Sequence, residues 1–274
     1  TVDHSRIFQY DGDESTSALN SLAGALENLT FLAGVAYSSV SSLIDVKPGV
    51  KIFASNFKAS ANGIGNAQSE PSGLGISVAF AQVKNRTKIN FAGEVTTTGE
   101  AYFNAGVDNT VMSYATTYGL KGGAAAVAIT ILDTETITHI TDDAKLTING
   151  NLTIQAVTVD RTYTYTNSSA DEGGMLGIAA SISDENSVTN VFVDGTLVVG
   201  GNLSILASQT NKAIKRPILI IPLEENGVNA EAEAKLDPGK YSKWLRRARA
   251  GAGALEGPDW KPSLRGTMTG STTT

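Results

Sequence analysis

The sequence of 274 residues contains no cysteine, which excludes disulfide bonds, thiolate catalysis and zinc sites built on thiolates. Histidine is almost as scarce, with His4 and His139 alone. No apolar run reaches the roughly 18 residues that a membrane-spanning helix needs, so we expect no membrane span. The formal net charge is −6, and only 18% of the residues are charged. A net charge of this sign argues against nucleic acid as a default partner, since phosphate contacts need clustered lysine and arginine.

The chain also lacks an initiator methionine and a basic-then-apolar leader at its start. We therefore expect no signal peptide and interpret the chain as a piece of something longer. Its 28 glycines, together with many Ser, Thr and Asn residues, are typical of strands joined by tight turns.

A period of 51 residues organises the middle of the chain. It relates three series of apolar residues, which are Ala54, Ala105, Ala156 and Ala207; Ile52, Phe103, Ile154 and Ile205; and Ile44, Val95, Leu146 and Leu197. It also relates Ile76, Val127 and Ile178, and the glycines Gly99, Gly150 and Gly201. A gapless overlay of 121–171 on 172–222 pairs Asp133 with Asp184 and Ile140 with Val191. A fixed period of this length indicates structural units that stack on one another.

Apolar residues alternate with small or polar ones from about residue 35 to 213, for example at Ile76, Val78 and Phe80. This alternation predicts strands with one buried face, and turn residues recur between them. Each unit is predicted as strand, turn, strand, turn, strand, followed by a polar Tyr/Thr-rich excursion such as Thr162–Thr166. The predicted fold is all-β, a parallel β-solenoid of about four 51-residue units with short helical or irregular flanking segments.

Three regions follow from this pattern: a lead-in with a capping helix at 1–35, solenoid repeats at 36–214, and a C-terminal segment at 215–274. Helical spacing of apolar residues predicts the capping helix over 15–32. The C-terminal segment contains five of the seven prolines and a net charge of +3, against −9 for the first 214 residues. Within it we predict an edge strand at Ile218–Leu223 and a helix at Lys240–Ala254.

The residues GGAAAVAITILDTETITHITDDAKLTINGNLTIQA (122–156) and their counterparts at 173–207 resemble the repeats of very large secreted bacterial β-helix proteins. This group comprises filamentous-haemagglutinin-like, leukotoxin-like and autotransporter-passenger proteins. The resemblance covers about 74–213 and fades at both ends. It implies a parallel β-solenoid, export by a bacterium, and a role in adhesion or surface structure.

Residues that could carry chemistry are few and scattered. His139 is predicted at an outward polar position, aligned with Asn90 and Asn190, and no G-x-S-x-G motif accompanies it. Three acidic pairs, Asp142-Asp143, Asp171-Glu172 and Asp184-Glu185, could serve acid–base chemistry or bind calcium. Because they fall in different places within their units, solvated turns are the favoured interpretation. The nonapeptide calcium signature is absent, although calcium at Asp142 and Asp143 stays open.

Two further motifs lie near the C-terminus. The glycines from Gly251 to Gly257 miss the dinucleotide-binding spacing by one residue, and the basic run Lys243–Arg249 is interpreted as a solvated helix face that could alternatively contact an acidic surface. We assign no catalytic, cofactor-binding or metal residue.

The sequence therefore favours a non-catalytic extracellular or cell-surface structural or adhesive protein, a fragment of a larger secreted bacterial repeat protein. Its expected partners are glycans, a host or neighbouring cell surface, or copies of itself end to end. The alternatives are a self-assembling filament subunit, or a polysaccharide lyase or hydrolase on a β-helix.

Overall fold

The structure of the chain is a computed structural model, and it describes residues 31–119, 124–170, 176–215, 223–226, 230–236, 247–256 and 269–270. Within these ranges every regular element is a β-strand, and nearly all strand pairs are parallel. The predicted all-β class with parallel strands is thus confirmed. No helix in the described ranges is long and apolar enough to cross a bilayer.

The strands form three sheets, which we name A, B and C. Sheet A contains β1 (Phe31–Val46), β5 (Ile76–Phe91), β8 (Ala124–Ile140), β11 (Leu176–Val193) and β16 (Arg247–Glu256). Sheet B contains β2 (Lys51–Ala54), β6 (Glu94–Thr97), β9 (Lys145–Ile148) and β12 (Thr196–Val199). Sheet C contains β3 (Phe57–Ser69), β4 (Ser72–Leu74), β7 (Ala101–Gly119), β10 (Leu152–Ala170), β13 (Leu203–Lys215), β14 (Leu223–Asn226), β15 (Ala230–Leu236) and β17 (Thr269–Gly270).

The chain visits sheets A, B and C in this order four times, and we call each pass a unit. Equivalent strands of successive units pair in parallel, whereas β14 pairs with β13 antiparallel. The predicted pattern of three strands per unit is therefore correct.

Alternate residues of all three sheets face a common interior. The rings of Phe91 in sheet A and Phe103 in sheet C lie 5.2 Å apart, and both pack in one cluster with Val95 of sheet B. The predicted column is also present, because Ile154 pairs with Phe103 on one side and with Ile205 on the other. Phe103 and Ile154 are fully buried, while Ile205 is 49% exposed because no other described strand pairs with that part of β13 on its far side.

Among the second, third and fourth units, the 51-residue register holds in sheets B and C but is wrong in sheet A. Leu146 pairs with Leu197 and Leu152 with Leu203, as predicted. In sheet A, however, Asp133 pairs with Asn186 rather than Asp184, and Ile140 pairs with Val193 rather than Val191. Val127 likewise pairs with Val78, not with Ile76.

The physical reason is the length of the link between sheets A and B. Four residues, 141–144, separate β8 from β9, whereas two residues separate the equivalent strands in the units on either side. A shift of two residues along a strand returns every side chain to the same face, so the alternation in the sequence does not reveal it.

The first unit also departs from the predicted period. Phe31 pairs with Ile76, a step of 45 residues, and Phe57 pairs with Ala101, a step of 44. Ile52 and Ala54 consequently lie in sheet B beside Val95 and Thr97, and not in the columns of Phe103 and Ala105. Ile44 pairs with Ile89 rather than Val95. The predicted series were wrong here because any two strands with the same alternation can be aligned by even shifts.

The elements predicted outside the repeats were two helices and an edge strand. The predicted helix at 15–32 lies outside the described residues except for Phe31 and Leu32, which begin β1. The helix predicted at Lys240–Ala254 is wrong over 247–254, because these residues belong to β16 and pair with β11. Glycine at alternate positions of this stretch, Gly251 and Gly253, is a poor helix former. The predicted edge strand at 218–223 lies outside the described residues except for Leu223.

The predicted excursion at Thr162–Thr166 is also wrong, since β10 continues through it. Its threonines alternate on the inner face and are buried, and the Thr164 hydroxyl donates to Thr130 of sheet A at 2.7 Å. Thr166 likewise shares a hydrogen bond of 2.9 Å with Ser181 of sheet A. A polar stretch thus remains a strand where the opposite sheet supplies partners for buried hydroxyl groups.

Candidate functional site

A shallow cleft of about 300 Å³ lies where the chain passes from sheet B to sheet C. It crosses three units, because its walls come from the starts of β3, β7 and β10 and from the links before them. Its polar lining consists of Asn56, Lys58, Glu100, Tyr102, Asn151 and Thr153, beside Phe57 and Ala101. The amide, carboxylate, ammonium and hydroxyl groups provide the cleft with both hydrogen-bond donors and hydrogen-bond acceptors.

Side chains at the links form a continuous hydrogen-bonded ladder along one edge of the cleft. The Glu100 N–H donates to Asn56 Oδ1 at 2.8 Å, and Asn151 Nδ2 donates to Glu100 Oε1 at 2.9 Å. The Asn202 N–H then donates to Asn151 Oδ1 at 2.9 Å. Each link therefore fixes a planar polar group of its neighbour, and the edge of the cleft is ordered before any ligand binds.

Glycine at the links permits this close stacking. The Gly150 N–H donates to the Gly99 carbonyl at 2.9 Å, and the Gly201 N–H donates to the Gly150 carbonyl at 3.0 Å. A Cβ added at Gly150 would lie 2.8 Å from the Gly99 backbone, which is too close for any side chain. The recurrence of Gly99, Gly150 and Gly201 in the sequence follows from this contact.

The opposite side of the cleft is built around Tyr102. The Lys58 ammonium lies 5.6 Å from the centre of the Tyr102 ring, a cation–π distance. Gln155 Nε2 donates to the Tyr102 hydroxyl at 2.5 Å and to Asn104 Oδ1 at 2.9 Å. Tyr102 is thus held from two sides, and Lys58 is positioned over its ring while its own side chain stays exposed.

A second polar cluster lies inside the molecule, around Asp160. Asn109 Nδ2 donates to Asp160 Oδ1 at 2.8 Å, Thr134 Oγ1 donates to the same oxygen at 3.3 Å, and Ser187 Oγ donates to Oδ2. Burial raises the pKa of the Asp160 carboxyl above its ordinary value, although these three hydrogen bonds act in the opposite direction. Asp160 is fully buried, so this cluster belongs to the core and not to a surface site.

His139 lies at an outward position of β8, as predicted, and is about one third exposed. It pairs with Asn90 on one side, as the alignment predicted, but with Phe192 rather than Asn190 on the other. Its Nε2 lies 2.9 Å from Asp194 Oδ2, and its ring packs edge-on against Phe192 at 5.7 Å. These contacts involve no serine or other nucleophile.

The acidic pairs do not converge. Asp142 and Asp143 are exposed in the link after β8, and Asp184 and Glu185 point to opposite faces of β11, with Glu185 buried. Asp171-Glu172 lies outside the described residues. Among the residues that the structure describes, no group of three His, Asp or Glu side chains is arranged to hold a metal ion. Calcium at Asp142 and Asp143 therefore stays a prediction without a supporting third ligand.

The basic run Lys243–Arg249 is described only from Arg247 onward, where it forms the start of β16. The glycine pattern after it, with Gly251 and Gly253, lies within the same strand and does not form a phosphate-binding turn. The strand assignment removes the structural context that a dinucleotide motif requires.

The cleft was not predicted from the sequence. The alignment of Glu100, Asn151 and Asn202 indicated part of the cleft, because it placed hydrogen-bonding side chains at equivalent links between strands. Asn56 was missed since the first unit is shorter than 51 residues, and Lys58 and Tyr102 carry no motif. Pairing Lys58 with Tyr102 requires the observed step of 44 residues.

Comparisons with known proteins identified no relative of this chain. A scan against protein-family models found no match, and searches of curated proteins and of solved structures found none either.

Proposed function

We propose that the four units wind as a parallel β-solenoid with short flanking segments. Two observations support this architecture: the order A, B, C recurs in every unit, and the buried faces of the three sheets meet in one core. In such an array each unit buries its apolar face against its neighbours, so the scaffold is stiff along the stacking direction.

On this scaffold we propose a non-catalytic structural or adhesive role, with glycans on a host or neighbouring cell as partners. The observation that carries the proposal is the cleft between Asn56 and Thr153, which spans three units and is ordered by its own hydrogen bonds. A preformed polar cleft beside an aromatic ring suits a hydroxyl-rich ligand, because the site loses little entropy on binding.

The location of the enclosed acidic groups supports a non-catalytic role. Asp160 and Glu185 are both almost completely buried between the sheets, where a polymeric substrate cannot reach them. A glycosidase would need two carboxyl groups flanking an accessible scissile bond. Glu100, the carboxylate that lines the cleft, is engaged by Asn151 and has no second acidic residue beside it in the lining.

The extracellular or cell-surface location, and the place of this chain within a larger secreted bacterial protein, are proposed from the resemblance of 122–156 and 173–207 to secreted β-helix repeats.

The direct test measures binding and turnover together. The purified chain is incubated with neutral, carboxylated and sulfated polysaccharides, with and without calcium, and both retention and newly formed chain ends are quantified. We expect retention of at least one polysaccharide class without new ends. Turnover that disappears on changing Glu100 to Gln would contradict the non-catalytic proposal and favour a lyase or hydrolase.

A filament subunit is the second candidate, and one observation favours it. Leu203 and Ile205 continue buried columns but are each 49% exposed, so the core near β12 and β13 is open at this end. However, β15 and β16 already cover neighbouring parts of the same end. A second copy could therefore dock over part of the end and not over a whole unit, and sedimentation of wild type against Ile205→Lys tests for such self-association.

A further inference from the structure

We propose that the cleft at the start of sheet C binds an anionic sugar, with the Lys58 ammonium contacting the carboxylate of a uronic-acid residue. This inference rests on the proposed glycan-binding function and names the ligand class and the residue that selects it.

The Lys58 ammonium has an aromatic and not an acidic neighbour. Among the ion pairs of the described residues none includes Lys58, whereas Lys51, Lys88 and Lys145 each have a glutamate partner. Lys58 instead lies over the Tyr102 ring, at the wall of the cleft. An ammonium group held in this position can still donate to an incoming anion, because the ring contacts it from one side only.

The orientation of the Tyr102 ring is fixed by hydrogen bonds. Its hydroxyl accepts a hydrogen bond from Gln155, which also bonds to Asn104, so the ring cannot swing away from Lys58 without breaking this contact. A sugar ring has apolar C–H faces and a polar rim, and an aromatic ring beside amide groups matches both. The cleft therefore presents an aromatic ring and a cation together.

The hydrogen-bonded ladder runs across the strands of sheet C. Asn56, Glu100 and Asn151 follow one another across three units, and neighbouring strands of a sheet lie about 4.8 Å apart. Planar amide and carboxylate groups repeated at this spacing can bond successive hydroxyls of an extended polysaccharide that runs across the strands. The site thus suits a linear polymer more than an isolated monosaccharide.

Two charged side chains line the cleft, Lys58 and Glu100. Glu100 already accepts a hydrogen bond from Asn151, while Lys58 has no carboxylate partner among the described residues. The whole chain carries −6, so an anionic polymer gains nothing from long-range attraction and must be held by a local contact. At physiological salt, charges beyond about 8 Å are largely screened, so a bound carboxylate responds to the charges of the cleft lining, where Lys58 attracts it and Glu100 repels it. The carboxylate of the uronic acid is therefore placed at Lys58 and away from Glu100.

The test uses the whole chain and three defined probes: an oligogalacturonate, its methyl ester, and a sulfated oligosaccharide of similar length. Affinity is measured by calorimetry for wild type, Lys58→Gln and Lys58→Arg. Lys84→Gln is the matched control, because it removes the same charge from sheet A, away from the cleft. Circular dichroism verifies that each variant retains its strands.

We expect wild type to prefer the free carboxylate over the ester. Lys58→Gln should weaken oligogalacturonate binding roughly 10-fold or more, as the loss of a charge-assisted hydrogen bond does. The same variant should leave binding of the ester unchanged, Lys58→Arg should restore much of the lost affinity, and Lys84→Gln should behave as wild type.

Equal binding of acid and ester, or equal effects of Lys58→Gln and Lys84→Gln, would overturn the inference and leave glycan binding itself standing. Preference for the sulfated probe over the carboxylated one would also overturn the uronic-acid assignment. Failure of wild type to bind any glycan would overturn the proposed function and this inference together.

Discussion

Asp160 lies between sheets A and C in a column with Asn109 on one side and Asn211 on the other. Its carboxyl is removed from water, and the nearby Asp108 carboxylate adds to the effect of burial in raising its pKa. The buried donors around it, from Asn109, Thr134 and Ser187, partly compensate for the lost hydration. The ionised form of Asp160 is therefore tolerated in the core rather than favoured there.

This arrangement predicts a specific pH dependence of stability. Because the pKa of Asp160 is raised on folding, the folded chain retains this proton after the unfolded chain has released it. The contribution of Asp160 to stability is therefore greatest at acid pH and falls as the pH rises from about 4 through the folded-state pKa.

Asp160→Asn should remove this slope and raise the free energy of unfolding at pH 7, by about 1.4 kcal/mol for each unit by which the pKa is raised. Denaturant titrations of both proteins at pH 4 and pH 7 measure the difference. Asp143→Asn serves as the control, since Asp143 is exposed in the link after β8. A mutant that loses stability equally at both pH values would contradict the explanation.

Residue-level packing in the core gives a second prediction. Phe103 is fully buried against Phe57 and Phe91, so Phe103→Ala should lower the free energy of unfolding by about 3–5 kcal/mol. Ile205 lies in the same column but is half exposed, and Ile205→Ala should cost clearly less. Chemical denaturation measures both, and equal losses would show that Ile205 is as deeply buried as Phe103.

At the scale of the element, the links between strands decide how the units stack. The links before β7, β10 and β13 are equal in length and share a glycine, and there the step is 51 residues. The link between β8 and β9 is longer by two residues than those of its neighbours, and the register of sheet A shifts accordingly.

A substitution within a link tests its role. Gly150→Ala should lower the free energy of unfolding by about 1–3 kcal/mol, because the added Cβ would meet the Gly99 backbone, which cannot move aside locally. Gly106→Ala is the matched control, since its Cβ would meet the end of the Asn62 side chain. We expect the control to stay within about 0.5 kcal/mol of wild type in thermal or denaturant unfolding. A larger loss for the control than for Gly150→Ala would contradict the backbone contact.

The sequence could predict the class of the elements but not their register. Alternation identified strands such as β5 and β8, and the equal links placed Phe103, Ile154 and Ile205 in one column. In β5, however, the fully buried face carries Ser77, Ala79 and Ala81. The apolar residues Ile76, Val78 and Phe80, on which the alternation was recognised, lie on the outer face. Alternation could not reveal even shifts, because these keep Val127 facing outward whether it pairs with Val78 or with Ile76. The strand at 247–256 was missed because its pairing with β11 is a tertiary effect that overrides local spacing.

The candidate site was less predictable than the fold for a related reason. Its residues are close in space only when the first unit is aligned with a step of 44 residues, and no local motif marks Lys58 or Tyr102. The polar character of the links was visible, but the cleft depends on side chains from three units at once.

For the whole molecule, stability should be shared between neighbouring units. Removing 121–171 deletes one complete unit and leaves β7 to pair with β13, so we expect a folded, shorter protein. Removing 121–145 deletes part of a unit and should unfold the chain, since sheets A and C then lose their common register. Circular dichroism and limited proteolysis distinguish these outcomes, and equal stability of the two deletions would contradict the stacking of units.

The stacking itself is tested most directly by disulfide formation. The chain contains no cysteine, so a double variant can form one intramolecular bond only. Gln82 and Ile131 are paired outward residues of β5 and β8, whereas Gln82 and Asp133 are related by the 51-residue period. Directly paired positions in a parallel sheet lie within the range that a disulfide spans, and positions offset by two residues lie about 7–8 Å apart, beyond it.

We predict rapid and complete oxidation of Gln82→Cys with Ile131→Cys, and slow or partial oxidation of Gln82→Cys with Asp133→Cys, measured by free-thiol titration under identical mild oxidation. The reverse order would show that the units stack with the unbroken 51-residue register. Failure of both pairs to oxidise would contradict the parallel stacking of the units.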